Sequence, residues 1–269
     1  LVATAEVRDA QRTVDDWSCA CRARSTIAHL RPLRLRHPPH RAAHEAAVRR
    51  VREYIAAGDV YQVNLAQRLE LDGVSDPRAF HAAVRHASPA RYGAFLQWNE
   101  AAISSISPEL FLRVRGRDVL TSPIKGTRPR SGDERVDEVR AADLLGSPKE
   151  AAELAMIVDL HRNDLGRVAE IGSVRVAAAR RLEAHPTVLH TVADVTARLA
   201  DGKDALDLLQ AAFPAGSISG APKLRALQII REVEAAPRGV FSGAIGHLGI
   251  NGDLTLSVAI RTGFIRDGV

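Results

Sequence analysis

The spacing of apolar residues along the chain predicts a mixture of helices and short strands. Apolar side chains recur every three or four positions across residues 47–55, which predicts a helix with one buried stripe, and Gly58 follows as a left-handed stop. Apolar and polar side chains then alternate across residues 61–66, which predicts a strand with Gln62 and Asn64 on a polar face. A helical spacing is therefore followed directly by a strand-like alternation early in the chain.

The rest of the chain continues in the same way. Residues 101–114 and 119–122 are predicted to form a strand pair joined by the turn at 115–118. A charged, partly helical connection follows at residues 131–147. Pro148 is then predicted to open a helix that runs to about His161.

Two more helices and a hairpin complete the pattern. The helices are predicted at residues 205–213 and 224–233, with Pro222 in the first turn of the second one. Residues 240–250 and 253–264 are predicted to form a hairpin around Asn251-Gly252, a strong turn signal. The whole pattern predicts an α+β fold in which β-sheets pack together and are covered by helices.

Composition limits the class of protein. A chain of 269 residues with 46% hydrophobic residues is long enough for one large core or two modest domains. No apolar run approaches the roughly 18 residues of a membrane span, so we expect a cytoplasmic protein without a membrane partner. Cys19 and Cys21 are separated by a single residue, a spacing that suits neither a disulfide nor a metal site. We therefore expect both to be free thiols.

The net charge of +5 belongs to the amino-terminal part of the chain. Residues 1–50 hold 10 arginines and no lysine against 5 acidic residues, so the remainder of the chain is neutral. Residues 1–40 are therefore predicted to be a basic leader with little ordered structure. Because the charge does not extend into the folded part, we expect no binding to nucleic acid.

Lys125 is the most informative single residue. It lies in Pro123-Ile124-Lys125-Gly126-Thr127, a turn that directly follows a strand-like run. A lysine held there by the backbone can be desolvated and act as a neutral amine nucleophile. The ordinary alternative is a solvated turn lysine.

Five other motifs accompany this pentapeptide: Tyr61-Gln62-Val63-Asn64-Leu65, Ser107-Pro108-Glu109-Leu110-Phe111, Asp159-Leu160-His161-Arg162-Asn163-Asp164, Gly216-Ser217-Ile218-Ser219-Gly220-Ala221-Pro222-Lys223 and Ala259-Ile260-Arg261-Thr262. In this order and spacing, the motifs resemble those of the chorismate-utilising enzymes, the family of anthranilate, aminodeoxychorismate, isochorismate and salicylate synthases. The resemblance runs from about Arg41 to Val269. It implies a fold like anthranilate synthase component I and a chorismate-binding catalytic domain over residues 41–269.

The resemblance implies roles for three residues. Lys125 is similar to the lysine of aminodeoxychorismate synthase component I, which adds to ring carbon C2 before ammonia enters at C4; anthranilate synthases usually carry alanine there. Glu109 matches the general acid that expels the C4 hydroxyl, and a partly buried carboxyl can stay protonated for that task. Gln62 stands where water-activating family members carry lysine. An amide cannot act as a base, so the implied nucleophile is ammonia.

The implied function is amination of chorismate to 4-amino-4-deoxychorismate in folate (para-aminobenzoate) biosynthesis. The implied partners are chorismate and a glutamine amidotransferase that supplies ammonia. Two alternatives stay open, an anthranilate synthase component I and an inactive remnant of the family.

The resemblance also implies binding residues. Glu153 matches a ligand of Mg²⁺, the implied cofactor, although Leu154 follows it where the family usually has histidine. The residues implied to bind substrate are Gln62, Gly126, Thr127, His190, Ser217, Phe241 and Arg261. The loop at 216–220 offers backbone N–H groups and a hydroxyl at a predicted helix start, and Arg261 can pair with a carboxylate.

Each of these residues has an ordinary structural alternative when it is taken alone. Glu109 can be a surface strand residue, Gln62 an ordinary strand residue and Glu153 a solvated helix residue. A packed core position is the alternative for both His190 and Phe241.

Family members extend beyond this sequence at both ends. They carry an amino-terminal region, which holds the tryptophan site in anthranilate synthases, and a closing segment that supplies the second magnesium ligand. The sequence begins at Leu1, without methionine, and stops at Val269. On this ground we expect a carboxy-terminally truncated fragment or an interrupted gene product, with little turnover as it stands.

Overall fold

A computed structural model describes residues 32–267 and confirms the predicted α+β class. The helices are α1 (Arg41–Ala56), α2 (Pro77–Ala87), α3 (Glu134–Gly146), α4 (Pro148–Gly166), α5 (Ala205–Ala212) and α6 (Lys223–Val233). The strands are β1 (Arg34–Leu35), β2 (Gln62–Val63), β3 (Leu71–Asp72), β4 (Tyr92–Trp98), β5 (Ala101–Ser107), β6 (Leu110–Arg115), β7 (Asp118–Ser122), β8 (Ile124–Pro129), β9 (Arg175–Ala184), β10 (Val188–Arg198), β11 (Gly220–Ala221), β12 (Ala244–Leu248), β13 (Leu254–Val258) and β14 (Thr262–Arg266).

A seven-stranded antiparallel sheet is the scaffold. Its strand order is β12-β13-β6-β7-β10-β8, and β9 pairs with β10. The predicted hairpin at Asn251-Gly252 is confirmed as β12 and β13, with Gly252 at φ 84°. The predicted turn at 115–118 is also confirmed and joins β6 to β7. Local turn chemistry thus sets the register at one edge of the sheet.

Two strands that we predicted to be continuous are broken. Residues 101–114 form β5, in a three-stranded sheet of order β14-β5-β4, and β6, in the seven-stranded sheet. The break falls at Pro108-Glu109, since proline has no N–H for a ladder. Residues 253–264 break at Arg261, whose φ is 48°. The breaks adjoin, because the Ile106 N–H donates to the Arg261 carbonyl at 3.1 Å.

The main core lies between the seven-stranded sheet and helices α4 and α5. Large side chains that are almost completely buried fill it, among them Phe111, Leu154, Leu165, Val195 and Leu208. Burial of each such side chain contributes about 1.5–3 kcal/mol. This core fixes the strands that carry the candidate site.

Helix α1 packs on α6 through a smaller core. Val51 contacts Val60, Ala226 and Ile229 there. The predicted stripe is only partly correct, because Val48 and Ile55 are exposed. Val51 and Tyr54, one turn apart, face this core, so the buried stripe of α1 is narrower than predicted.

The predicted strand at residues 61–66 is shorter than expected. Only Gln62–Val63 form a strand, which pairs with Gly220–Ala221. The two strands can approach each other only because residue 220 is glycine, at φ 150°. A Cβ at this position would overlap the carbonyl oxygen of Gln62. A two-residue ladder therefore joins the segment after α1 to the segment before α6.

Ordered structure begins before residue 41, the predicted end of the leader. Arg34–Leu35 pair with Leu71–Asp72, and the Arg36 guanidinium donates to the Asp72 carboxylate at 2.6 Å. Residues 1–31, with Cys19 and Cys21, lie outside the described residues. Within 32–267, none of the helices has the length and hydropathy that crossing a bilayer requires.

Helix α4 starts as predicted. The Ser147 hydroxyl accepts from the Glu150 N–H, and Pro148 occupies the first helical position, where its missing N–H costs nothing. The helix ends at Gly166, one turn beyond the predicted end at His161, because Asp164 and Leu165 are buried against the core. The charged connection before it contains α3, and the predicted helices α5 and α6 are also confirmed.

A buried ion pair joins three helix ends. The Lys223 ammonium, at the start of α6, donates to Asp164 at 2.6 Å and to the Ala212 carbonyl, 2.5 Å away. The two charged side chains are only 10% and 7% exposed. Burial raises the pKa of Asp164 and lowers that of Lys223, while their mutual attraction opposes both shifts. Each charge depends on the other to remain buried.

We expect Lys223→Met to destabilise the fold by about 3–5 kcal/mol, because it leaves the Asp164 carboxylate buried without a counter-charge. Urea unfolding followed by circular dichroism measures the change. Lys203→Met is the matched control, since Lys203 pairs with Asp207 on an exposed helix face and its loss should be undetectable. Equal effects of both substitutions would contradict the prediction.

Candidate functional site

Glu109 lies at the break between β5 and β6, facing inward. Its side chain is 3% exposed, and this burial raises the pKa of the carboxyl to about 7. The Ser217 hydroxyl, the Lys125 charge and the Ile124 N–H oppose the shift. Even so, Oε1 of Glu109 has no well-formed hydrogen bond within residues 32–267. A carboxyl in this state holds a proton near neutral pH and can donate it.

Lys125 lies in β8, opposite Thr191 of β10, and not in a turn as its sequence predicted, because the chain pairs with β10 directly after Pro123. It is half-buried, and its Nζ donates to the Ser217 carbonyl at 2.8 Å. The Thr191 hydroxyl bonds the Lys125 carbonyl. The structure thus brings Lys125 and Glu109 together at the Ser217 turn, where their proposed roles stay predictions.

Gly126 allows the strand to approach helices α3 and α4. Its φ is 80°, which disfavours any residue with a side chain. A Cβ at this position would lie 2.9 Å from the Leu144 side chain and 3.1 Å from the Glu150 carboxylate. Glycine after Lys125 is therefore required by backbone geometry and by packing.

Ser217 and Gln62 offer unpaired polar atoms on adjoining segments. Ser217 is buried in a short 3₁₀ turn, Gly216–Ile218, and its Oγ lacks a hydrogen-bond partner among the described residues, as does Oε1 of Gln62. The turn precedes β11 and not a helix, so the predicted helix start is wrong; Pro222 caps α6 from outside the helix. Buried polar atoms without a well-formed hydrogen bond are costly, and those of Ser217 and Gln62 are therefore candidates for contact with a ligand.

His190 links Thr127 to Arg261. His190 Nδ1 lies 2.9 Å from the Thr127 hydroxyl, and Nε2 lies 3.4 Å from the Arg261 guanidinium. Burial, helped by the Arg261 and His185 charges, lowers the pKa of His190 to about 4. The ring is therefore neutral, and it carries its proton on Nδ1 because the guanidinium can only donate.

Arg261 lies at the break in the predicted strand 253–264 and not within a strand. It lies between β13 and β14 at φ 48° and is exposed. Its guanidinium has His190 as its neighbour and no carboxylate partner within residues 32–267. Arg261 is thus available for an anionic ligand.

Phe241 and Glu153 lie at the margins of this group. Phe241 is half-buried, and its ring lies 5.6 Å from the Arg238 guanidinium carbon. Glu153 lies one turn beyond Glu150 on α4, and its carboxylate is 3.7 Å from the Lys149 ammonium. Within residues 32–267, no three histidine, cysteine or acidic side chains come together as a metal site. Glu153 contributes one carboxylate at this point of α4, and magnesium stays a prediction.

Two cavities open elsewhere on the seven-stranded sheet. The larger, of about 390 Å³, is lined by residues such as Arg113, Leu120 and Arg198 and includes none of the predicted site residues. The smaller, of about 160 Å³, is lined in part by Pro108 and Ile124. We place the candidate site instead where unpaired buried oxygens meet Lys125.

Sequence reasoning missed His161. Its ring is buried, and Nδ1 lies 2.8 Å from the Thr121 hydroxyl. Burial, helped by the Lys223 and Lys125 charges, lowers the pKa of His161 to about 3, so the ring is neutral beside two lysines. The signal was available: His161 follows Leu154 and Ile157 at helical spacing on the buried face of α4.

Comparisons with known proteins agree with this geometry. Residues 4–269 match the family model described as chorismate binding enzyme, so the match begins well before the predicted start at residue 41. Anthranilate synthase component I from Streptococcus pneumoniae TIGR4 superposes with a TM-score of 0.81 at 31% identity, covering 98% of this chain and 60% of that chain. The predicted likeness to anthranilate synthase component I is confirmed for the fold.

Two curated relatives carry different names. Aminodeoxychorismate synthase component 1 of Klebsiella aerogenes is 47% identical over 214 residues, which cover 80% of this chain and 48% of that protein. Anthranilate synthase component 1 of Aquifex aeolicus is 44% identical over 223 residues, covering 83% and 45%. The chain spans about half the length of these relatives.

The fold is like that of anthranilate synthase component I. The chain belongs to the family of chorismate-binding enzymes.

Proposed function

We propose that this protein aminates chorismate to 4-amino-4-deoxychorismate, with ammonia supplied by a glutamine amidotransferase partner. One observation carries the proposal: a primary amine, Lys125, is held at the Ser217 carbonyl beside the buried Glu109 carboxyl, whose pKa is about 7. A nucleophile next to a protonated acid suits displacement of a hydroxyl group.

The reaction proceeds in two balanced steps. The Lys125 amine bonds to ring carbon C2, the two double bonds shift along the ring, and the C4–O bond breaks as Glu109 gives its proton to the departing hydroxyl. The proton that the new amine loses returns to the Glu109 carboxylate. Ammonia then bonds to C4, the double bonds shift back, and the C2–N bond to Lys125 breaks as Glu109 gives its proton to the departing amine. The proton that the new C4 amine loses returns to the Glu109 carboxylate. Ammonia has replaced the hydroxyl, and one water is released.

The remaining side chains orient the substrate. Arg261, supported by neutral His190, is placed to pair with one carboxylate, and the unpaired hydroxyl of Ser217 can donate to a ligand oxygen. Gln62 supplies an amide, which orients a polar group without activating water. This set favours an amine over water as the entering group.

The partner and the pathway are part of the proposal. Both relatives are named as component 1, which indicates that each works with a second component. We propose that the second component here is an amidotransferase and that the product serves folate synthesis. Magnesium is proposed through Glu153 and would supply positive charge at a substrate carboxylate.

An anthranilate synthase component is the second candidate. The 44% identity to the Aquifex aeolicus protein favours it as a specific observation. Lysine at position 125, similar to aminodeoxychorismate synthases, favours amination without loss of pyruvate. The two candidates differ in product and are separated directly by experiment.

A version of this protein extended to the full length of its relatives, when incubated with chorismate, excess ammonium and magnesium, should give aminodeoxychorismate as the main product, because Lys125 and Gln62 select amination at C4. Liquid chromatography with mass detection identifies the product. Omitting magnesium, with a chelator added, should abolish turnover. Anthranilate with pyruvate, isochorismate, or unchanged chorismate would each contradict the proposal.

A further inference from the structure

Arg238 uses every donor of its guanidinium group within the protein. Its side chain is 14% exposed and lies between α6 and β12. Nε donates to Glu234 at 2.9 Å, and Nη1 donates to the Ile218 carbonyl at 2.7 Å and the Ser242 hydroxyl at 3.0 Å. Nη2 donates to the Asn64 carbonyl and to Glu234, both at 2.5 Å. A fully engaged, buried guanidinium is rigid.

The partners of Arg238 adjoin the predicted binding residues. Its three partners other than Glu234 stand within two positions of such a residue: Asn64 after Gln62, Ile218 after Ser217 and Ser242 after Phe241. The guanidinium also lies near the Phe241 ring. The Arg238 side chain therefore contacts each of the three segments that carry Gln62, Ser217 and Phe241.

Glu234 completes the arrangement. Its side chain is 6% exposed, and Oε1 also accepts from the Ala66 N–H at 2.9 Å. The Arg238 charge is thus neutralised inside the protein, and a second bond holds the chain beyond β2. Because the Arg238–Glu234 pair has no net charge, it neither attracts nor repels an anionic ligand strongly.

Few other bonds join these segments within residues 32–267: the Tyr61 and Asn64 N–H groups donate to the Ala221 and Ser219 carbonyls, both at 2.8 Å. The segments lie outside the seven-stranded sheet, and the two-residue ladder between β2 and β11 is the regular pairing there. Such a short ladder opens easily without further support. The bonds of Arg238 and Glu234 supply that support.

We propose that Arg238 and Glu234 are positioning residues, which tie segments 62–66, 216–218 and 241–242 into one wall. The wall aims Gln62, Ser217 and Phe241 at the same ligand. Neither member of the pair contacts the reacting atoms. The inference rests on the proposed function only for the identity of the ligand, chorismate.

Arg238→Lys is the decisive variant. Lysine keeps the charge but offers three donors from one atom, so it cannot span carbonyls on separate segments. Glu234→Gln is a milder variant that keeps the shape. Arg117→Lys is the matched control, because Arg117 binds the Leu199 carbonyl and Glu170 at the turn between β6 and β7, away from the wall.

Two measurements test the pair. Hydrogen exchange of the ligand-free protein should rise about tenfold or more in residues 61–66, 216–220 and 240–243 of Arg238→Lys, while the sheet under α4 stays protected. Calorimetric titration should show chorismate binding weakened about tenfold or more. Glu234→Gln should shift both quantities in the same direction, and Arg117→Lys should shift neither.

Several outcomes would overturn the inference. These are unchanged exchange in the three segments, a rise spread evenly over the whole protein, or unchanged chorismate binding despite local opening. If Arg238→Lys does not fold, Glu234→Gln decides by the same two criteria. If the wild-type protein does not bind chorismate, the proposed function fails, and the exchange pattern alone decides whether the wall exists.

Discussion

Replacing Lys125 with alanine is expected to lower the rate of aminodeoxychorismate formation by about 10³-fold or more, because alanine supplies no amine for the covalent step. The fold should survive. Lys125 is half-buried, and the substitution removes one hydrogen bond, to the Ser217 carbonyl, which contributes about 1 kcal/mol. Steady-state kinetics and thermal unfolding measure the two effects separately.

Lys149→Ala is the control for this substitution. Lys149 is 81% exposed on α4, within ion-pair distance of Glu153, and its removal should leave the covalent step intact. Mass spectrometry of the wild-type protein during turnover should find a chorismate-derived adduct on Lys125. An alanine variant with full rate, together with no adduct in the wild type, would show that lysine addition is wrong.

Part of the site could be predicted because its signals are local. Pro123 separates β7 from the strand that carries Lys125, and Gly126 in that strand proves indispensable for both its φ and its close contacts. Pro108 places Glu109 at a strand end. Such residues act through their own backbone, so their effect is visible in a short stretch of sequence.

Other parts depend on contacts between distant segments. Arg238 and Asn64 are 174 positions apart, and no local pattern reports a side chain that bonds a remote carbonyl. The breaks at Glu109 and Arg261 were missed for a related reason. Apolar alternation continues through both breaks, although the chain moves from one sheet to another.

His161 illustrates an intermediate case. Helical spacing places it on the buried face of α4, but only the structure shows the lysines that neighbour it. A cationic ring there would repel both amines. The neutral His161 ring therefore avoids this repulsion at the candidate site.

Glu109→Gln should lower turnover by about 10²–10⁴-fold, because an amide cannot give a proton to the departing hydroxyl. The ratio of wild-type to variant kcat/KM should fall about tenfold per pH unit above pH 7, where Glu109 ionises, since burial raises its pKa to about 7. The ratio cancels the titration of Lys125, which both proteins share. A pH–rate profile of both proteins measures it.

The raised pKa of Glu109 also predicts that the difference in stability between wild type and Glu109→Gln depends on pH. The folded state holds the Glu109 proton to about pH 7 and the unfolded state only to about 4.5, so the folded protein binds more protons between these values. The stability contributed by the protonated carboxyl is therefore complete below pH 4.5 and is lost as the pH rises to 7. Glu109→Gln has no such proton, so its free energy of unfolding relative to wild type should increase by about 3 kcal/mol over this range.

Urea unfolding of both proteins at several pH values tests this difference. The comparison cancels the titration of all groups other than position 109. If the difference in free energy of unfolding between the two proteins stayed constant from pH 4.5 to 7, Glu109 would be ionised in the folded protein over this range. The carboxyl would then be unable to act as the acid for the C4 hydroxyl, and the decline of the kcat/KM ratio above pH 7 would need another group.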